Sequence, residues 1–454
     1  MLLDDASDGR LDRFSLAEAA LIAAGVDDRP ALDAYRHEFD ALADQLRPAV
    51  PTDATVDRQA QAVFAFLHGH VLRGQYRVDC TDLRRVLRDG TYNCVSATVL
   101  FNALAAEVGM PVCALEAPGH VLSRVCGPDT SLDVETTCPE WFRLAEDPRR
   151  QAEAVVQTLG RRPAGTRSEP REISSVELVG MVYYNQGVDL LAAKRFAAAA
   201  AANAKAVACG PQSTTAWGNL LATLNNWAIH LGHESRYAEA AELLQSGLAL
   251  DPQYKTFRQN FAHVHHQWTE RFCQTGRFAE AMDILDHRAR KNPDDPYFAQ
   301  ARADVGRRWA VALFDQNKAD EAFAVLDRVQ SRDAELNAVN QRALTLLDRH
   351  DYEPAIALFD RGLARHPDAS LLAENRRAAI MRWAETAFEE GDYAEAIRRT
   401  KHGATAGRLH HVLVNNVRYG YQKWIERLQA AGRRNEAGRI AHLAETDPFL
   451  NGGN

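Results

Sequence analysis

Apolar residues recur at helical spacing through the stretch Gly90 to Gly109, GTYNCVSATVLFNALAAEVG, with Val95, Val99 and Leu104 on one stripe. This pattern predicts an amphipathic helix that begins near Cys94 and stops at the terminal glycine. A cysteine in the first turn of a helix lies beside unpaired backbone N–H groups and the positive end of the macrodipole, and both favour thiolate over thiol. Cys94 is therefore the candidate nucleophile.

Period-two and helical patterns surround this stretch on both sides. Three short β-branched segments follow it, bounded by Pro, Gly and Asp, and predict consecutive antiparallel strands over 111–118, 120–126 and 131–137. Three amphipathic helices are predicted upstream over 15–26, 31–48 and 53–74. The first of these opens with Ser15 and has Glu18 three residues later, which is a capping-box pattern. The helices are expected to pack against the sheet.

The strand segments supply partners for a nucleophilic thiol. His120 opens the second strand segment, and Asp133 lies inside the third. A helix-borne Cys followed by a strand-borne His and an acid on the next strand has the order of a Cys-His-Asp triad. In such a triad Cys94 attacks, His120 takes and returns the proton, and Asp133 orients the imidazole. Glu135 is expected on the same strand face, so either acid could orient His120, and Asp133 is preferred.

An oxyanion hole would complete such a site. The backbone N–H of Cys94 supplies one donor, and a second donor is needed. Tyr92 and Asn93 are the candidates because they directly precede the cysteine. This chemistry needs neither a cofactor nor a metal ion. His68 and His70 are more simply explained as structural, since no Cys or acidic partner stands at ligand spacing.

These motifs resemble a known family. The run LRRVLRDGTYNCVSATVLFNALAAEVGM, followed by ALEAPGHVLSRV and LDVETT, is similar to the transglutaminase-like cysteine hydrolase superfamily, in a bacterial branch where the domain is joined to tetratricopeptide repeats. The resemblance implies an α+β, papain-like or transglutaminase-like fold over residues 1–158. It also implies transamidation, deamidation or peptide hydrolysis carried by Cys94, His120 and Asp133.

The segment 159–175, LGRRPAGTRSEPREISS, mixes Pro, Gly, Arg and Ser without periodicity and is predicted to be a linker. From 176 to 454 the sequence repeats. An alanine, usually preceded three positions earlier by an aromatic residue, recurs at intervals of 41, 41, 41, 33, 41 and 41 residues. These alanines are Ala199, Ala240, Ala281, Ala322, Ala355, Ala396 and Ala437.

Other residues keep the same register. Tryptophan precedes the alanine by 13 residues at Trp227, Trp268, Trp309, Trp383 and Trp424, and asparagine precedes it by 21 at Asn219, Asn260, Asn375 and Asn416. Each unit is predicted to be a helix pair with the alanine at the close crossing, as in tetratricopeptide repeats, so the region is an all-α solenoid of about seven pairs. The tryptophans are interpreted as core residues. The asparagines either clamp a bound peptide or tie adjacent repeats together.

The usual tetratricopeptide unit has about 34 residues, so most units here carry seven more. Seven residues are about two turns of helix, which predicts long first helices in most units and an ordinary one in the unit of Ala355. The concave surface of such an array is expected to bind a protein or peptide. The function predicted is thiol-dependent amide chemistry on a protein recruited by the repeats, and the alternative is a non-catalytic binding scaffold.

Charge and cysteine content limit the other possibilities. The 454 residues carry 53 basic and 61 acidic side chains, a net charge of −8, which gives no overall attraction to nucleic acid or to an anionic membrane. The acidic N-terminus is not a secretory signal. Seven cysteines, an odd number, are expected to be reduced thiols, which predicts a cytoplasmic protein. The pattern does not indicate an oligomeric state.

Overall fold

The computed structural model describes residues 1–127, 131–160, 170–402 and 410–451. By its internal contacts the chain divides into two compact units, Met1–Val264 and His265–Asn454. The units are treated one at a time. No helix among the described residues combines the length and apolar character needed to span a membrane.

The first unit opens with helices that the sequence predicts. Ser15 and Glu18 form the expected capping box ahead of the second helix, and Asp28 caps the third through the backbone N–H of Ala31. The helices are α1 Leu2–Asp5, α2 Leu16–Ala23, α3 Arg29–Leu46, α4 Val56–Phe66, α5 Leu83–Asp89, α6 Cys94–Glu107 and α7 Pro148–Leu159. Helix α6 begins at Cys94, as predicted.

An antiparallel sheet follows α6. Its strands are β1 Val112–Ala117, β2 His120–Cys126, β3 Ser131–Val134 and β4 Arg171–Ile173, in the order β3-β2-β1-β4. The three predicted strands and their antiparallel pairing are confirmed, although the third ends at Val134 rather than Thr137. The fourth strand was not predicted. It lies in the segment 159–175 and pairs with β1 from Ala114 to Glu116.

The hydrophobic core of the first unit is centred on α6. This helix is buried on nearly every side from Val95 to Ala105, because α2 and α4 cover it on one side and the sheet on the other. The same core continues past the sheet and includes Val176, Leu178, Val182, Ala206 and Ala216. The boundary expected at 159–175 remains a prediction, and residues 161–169 of that segment lie outside the described residues.

Helix pairs fill the chain from residue 175 onward. The described residues contain seven pairs, as predicted: α8 Ser175–Ala192 with α9 Phe196–Cys209, α10 Thr214–His233 with α11 Tyr237–Leu250, α12 Lys255–Gln274 with α13 Phe278–Lys291, α14 Pro296–Asp315 with α15 Ala319–Val329, α16 Arg332–Asp348 with α17 Tyr352–Arg365, α18 Ser370–Glu390 with α19 Tyr393–His402, and α20 His410–Ala430 with α21 Arg434–Thr446. A short α22, Pro448–Asn451, follows, and the division between the two units falls within α12.

The repeated alanines lie where the two helices of a pair cross. All seven are buried, six of them completely, which confirms the prediction of a close crossing at this position. A larger side chain there would separate the two helices. The alanine column is therefore a packing feature, and it fixes the register of each pair.

The unit of Ala355 shows where the extra residues lie. Its first helix, α16, has 17 residues against 20 in α14, which agrees with the prediction of a shorter helix. The preceding helix α15 is also short, with 11 residues against 14 in α13, and it ends at Gln330 in the left-handed region. The missing residues are therefore shared by two helices and their connection, whereas the sequence assigned them to the first helix alone.

Candidate active site

The start of α6 is fixed by a neighbouring loop. Gly74 donates its backbone N–H to Gly90, and Tyr76 forms a bridge with Tyr92. Gly90 ends α5 with φ of 71°, and a Cβ at this position would lie 2.8 Å from the Gly74 nitrogen, so only glycine fits. This close approach of two backbone segments places Cys94 at the first position of α6.

Cys94 contacts the ring of His120. The cysteine keeps part of its surface exposed, whereas His120 is only 5% exposed. Burial alone would lower the pKa of His120, but hydrogen bonding to Cys94 and to Glu135, with their negative charges, raises it to about 10. Since Nε2 of the ring bonds to Glu135, the other ring nitrogen, Nδ1, is the one left for Cys94. The sequence prediction that these two residues meet agrees with this placement.

Glu135 is the acid that contacts His120. The Nε2–H of His120 donates to Oε2 of Glu135 at 2.6 Å, and both side chains are about 95% buried. The other carboxylate oxygen, Oε1, accepts from the backbone N–H of Thr137 at 3.1 Å and from its hydroxyl at 2.5 Å. Both oxygens are therefore held, and the orientation of the imidazole is fixed.

Asp133 does not contact His120, which corrects the preference for this residue. It lies opposite Arg124 in the register of β2 and β3, and the guanidinium binds both carboxylate oxygens at 2.6 and 3.0 Å. The expectation that Asp133 and Glu135 share a strand face holds only within a strand. The chain leaves β3 after Val134 and turns, so Glu135 is carried to the end of β2, where His120 lies.

Tyr92 and Asn93 both have structural partners. The Tyr92 hydroxyl donates to the carbonyl oxygen of Thr137 at 3.2 Å. Asn93 caps α6 by accepting from the Ser96 backbone N–H at 3.0 Å, and its amide NH₂ donates to the Thr81 hydroxyl at 2.6 Å. Neither side chain is available as an oxyanion donor. The backbone N–H groups at the start of α6, which precede the first intrahelical bond at Ala97, are better placed.

Helix α8, the first helix of the repeat region, also reaches the site. Asn185 donates its amide NH₂ to the Thr81 hydroxyl at 3.0 Å. The neighbouring Tyr184 lies close to Cys94 and Glu116: burial raises its pKa, and the negative charges of those two groups add to the effect. Sequence reasoning missed these residues because they lie about ninety positions after the cysteine, and no local pattern connects them.

His68 is a packed core residue. Its Nε2–H donates to the Thr136 carbonyl oxygen at 3.1 Å, and its ring packs against Phe64 and Tyr92. Burial lowers the pKa of His68 to about 4, so the ring is neutral at pH 7. The described residues contain no group of three or more His, Cys, Asp or Glu side chains that could hold a metal ion.

The asparagine column connects successive first helices. In the first unit Asn260 donates to Oδ1 of Asn225 at 2.6 Å, and in the second unit Asn375 donates to Oδ1 of Asn340 at the same distance. Asn416 donates to the sulfur of Met381 at 2.7 Å. Asn219 accepts at its backbone oxygen from Asn203 at 3.5 Å. For the first three, the contacts favour the role of joining adjacent repeats.

The tryptophan column is more varied. Trp383 is buried, and the guanidiniums of Arg398 and Arg399 lie over its ring. Trp309 and Trp424 are partly buried and pack against hydrophobic clusters of the second unit. These contacts agree with the interpretation of the column as part of the core.

Comparisons with known proteins support the repeats. Residues 233–305, which include all of α11, α12 and α13, match a tetratricopeptide repeat family. The chain therefore contains tetratricopeptide repeats, which are modules for protein–protein interaction. The match covers a minority of the chain and does not reach Cys94, so the transglutaminase-like resemblance remains a prediction. A search among curated proteins finds no match.

Solved structures with tetratricopeptide repeats are similar to parts of the chain. A thermophilic protein of this kind from Thermus thermophilus is 19% identical, with 44% of this chain and 98% of that chain covered and a TM-score of 0.17. A tetratricopeptide repeat protein from Parabacteroides merdae is 16% identical over 59% and 99%, with a TM-score of 0.18. The TPR2AB domain of yeast Sti1, solved with pHSP90, is 14% identical over 59% and 98%, with a TM-score of 0.17. TM-scores this low support no inference about overall architecture.

Proposed function

We propose that this protein performs thiol-dependent acyl chemistry on an amide, through Cys94, His120 and Glu135. The proposed fold of the N-terminal region is the papain-like or transglutaminase-like α+β fold. The observation that carries the proposal is the position of the His120 ring, which is held by the Glu135 carboxylate on one side and contacts Cys94 on the other. A nucleophile, a base and an orienting acid in contact are the parts that such chemistry requires.

The raised pKa of His120 sets the order of the proton transfers. Because the ring carries its proton at neutral pH, the resting pair is a thiolate with an imidazolium. The thiolate of Cys94 attacks the amide carbon, and the imidazolium then gives its proton to the leaving nitrogen as the C–N bond breaks. A thioester remains. The neutral His120 removes a proton from water or an amine, which attacks the thioester and releases the thiolate.

Two outcomes of this sequence differ only in the second nucleophile. Water gives peptide hydrolysis or deamidation of a glutamine side chain, and an amine gives transamidation. The backbone N–H groups at the start of α6 would stabilise the oxyanion in both. The repeats are proposed to bind the protein that carries the amide.

Alkylation by iodoacetamide at pH 7, followed by peptide mass spectrometry, tests the proposal. Cys94 should react ahead of the other six cysteines, including Cys113 and Cys126, which are also only partly buried. His120→Ala should slow the reaction of Cys94 by about tenfold or more, because an ordinary thiol is only a few per cent ionised at pH 7. The exposed His70 gives a matched control, and His70→Ala should change nothing. A Cys94 rate equal to that of Cys113 would contradict the proposal.

The second candidate function is a non-catalytic scaffold that binds proteins through the repeats. The repeat match over residues 233–305 favours it, because such repeats bind partners without chemistry. Incubation with a glutamine-containing casein and a fluorescent amine separates the two. Ammonia release or amine incorporation that disappears in Cys94→Ala supports the enzyme. Partner capture that Cys94→Ala leaves intact, in a protein whose Cys94 shows no special reactivity, supports the scaffold.

A further inference from the structure

The first helix of the repeat region is bonded to the cap of the nucleophile helix. The Thr81 hydroxyl oxygen accepts two amide protons, one from Asn93 at 2.6 Å and one from Asn185 at 3.0 Å. Asn93 is the residue immediately before Cys94 and forms the N-cap of α6. A continuous chain of hydrogen bonds thus runs from α8 to the residue next to the thiol.

The inner part of this chain is rigid. Asn93 is 1% exposed and Thr81 is 6% exposed. The Asn93 side chain also binds the backbone of Val78 at 3.0 Å, and Ser96 returns a bond by accepting the Asn93 backbone N–H at 2.9 Å. With so many partners, Asn93 has one available position. A shift of Thr81 would therefore be transmitted to the cap and to Cys94.

Helix α8 is itself held from two sides. Its residues Val176, Leu178 and Val182 belong to the core of the first unit, and at Gly187 it passes so close to Asn203 of α9 that a Cβ would lie 2.4 Å from the Asn203 side chain. The helix is therefore part of the N-terminal core and of the first helix pair. Asn185 lies between these two regions of contact.

We propose that Asn185 is a positioning residue, which fixes Cys94 against His120 through Thr81 and Asn93. The inference rests on the proposed function and deepens it, because it makes the first repeat a component of the thiol site. Tyr184, which lies beside Cys94 on the same helix, agrees with this arrangement. The repeats would then do more than bind a substrate, since an event that moves α8 would also change the reactivity of the nucleophile.

The test is the rate of iodoacetamide alkylation at Cys94 in the full chain, measured between pH 5 and 9. Asn185→Ala should lower the rate at pH 7 by about tenfold, since a small misplacement of a reacting group has effects of at least that size. The rise of the rate with pH should also move to higher pH. Gln186→Ala, one position further along α8, is the matched control and should behave as the unmodified chain.

A pair of Thr81 variants separates positioning from general destabilisation. Thr81→Val keeps the shape and removes the hydroxyl, so it should reproduce Asn185→Ala. Thr81→Ser keeps the hydroxyl and should restore the normal rate and pH profile. Combining Thr81→Val with Asn185→Ala should add little to Thr81→Val alone, because both remove one interaction. Thermal unfolding of each variant shows whether it is folded.

Two results overturn the inference, and they are distinct. If His120→Ala slows Cys94 while Asn185→Ala and Thr81→Val leave its rate and pH profile unchanged, positioning by Asn185 is wrong and the proposed function stands. If His120→Ala has no effect on Cys94 in the otherwise intact chain, the proposed function fails and the inference fails with it.

Discussion

Replacing Glu135 with glutamine should change the protonation of His120 more than any other single substitution near the site. Glu135 now accepts three hydrogen bonds, two at Oε1 from Thr137 and one at Oε2 from His120. Glutamine has only one oxygen. If that oxygen keeps the two bonds to Thr137, the NH₂ group faces Nε2 of His120, and two donors cannot face each other.

His120 must then become neutral, with its lone pair on Nε2 and its proton on Nδ1, towards Cys94. In that tautomer the ring cannot accept a proton from the thiol. An ionic hydrogen bond stabilises by about 1.5–3 kcal/mol. Since 1.36 kcal/mol corresponds to one pH unit, Glu135→Gln should lower the pKa of His120, now about 10, by about one to two pH units.

The assay is an NMR titration of histidine ring signals in protein with labelled histidine, in which the His120 signal is identified by its loss in His120→Gln. Asp133→Asn is the matched control because Asp133 is the other acid of the same segment and binds Arg124. It should leave the titration of His120 unchanged within a few tenths of a pH unit. The reasoning would be refuted if Asp133→Asn lowered the pKa of His120 while Glu135→Gln did not.

Three further predictions concern stability and redox chemistry. Ala281→Leu should destabilise the protein by about 1–3 kcal/mol in urea unfolding, because Ala281 is fully buried at a helix crossing, whereas Ala279→Leu on the exposed face should change stability by no more than about 0.5 kcal/mol; equal effects would contradict the crossing. The pKa of His68 is lowered to about 4 from about 6.5 in the unfolded chain, so its contribution is fully present above pH 6.5 and is lost as the pH falls to 4, by about 3 kcal/mol in total. His68→Phe should therefore flatten the acid side of the stability curve and His70→Phe should not, with an unchanged slope in His68→Phe as the contrary result. The sulfurs of Cys113 and Cys126 lie 3.8 Å apart, so exchange with glutathione disulfide should link them and release two glutathione thiols. Mass spectrometry of a non-reduced digest should detect this link, which Cys113→Ser should abolish, and a cross-link that instead involves Cys80 would argue against the observed pairing.

Local periodicity was enough to predict much of the architecture. The helix that starts at Cys94, the first three strands and the seven helix pairs follow from spacing within one element or between identical units. The buried alanines were found in this way too, because one packing constraint recurs in every unit. Patterns of this kind depend on residues close in the chain, and for that reason a single sequence reveals them.

The details of the site depend on contacts between distant segments. The choice between Asp133 and Glu135 is made by the register of β2 and β3, which puts Arg124 opposite Asp133, and by the end of β3 at Val134. Neither follows from composition. Strand β4 has only three residues and shows no measurable alternation. Asn185 could not be connected to Cys94 before the packing of α8 was known.

One signal in the sequence could have resolved the asparagine column. Asn225 and Asn340 precede their alanines by 15 residues, and each lies 35 residues before an asparagine of the column. The structure pairs Asn225 with Asn260 and Asn340 with Asn375. A search for pairs at a fixed offset between successive units, rather than for a single column, would have predicted that these amides bond to each other.

The continuous core between the sheet and the first helix pairs limits how this chain could vary during evolution. Repeat proteins commonly gain and lose units by duplication, because each unit contacts only its neighbours. Here the unit of α8 and α9 supplies Leu178, Val182 and Ala206 to the same core as α6. Loss of the first unit would expose that core to solvent. Changes in repeat number should therefore be tolerated only further along the chain, and the first pair should be inherited together with the catalytic region as one piece.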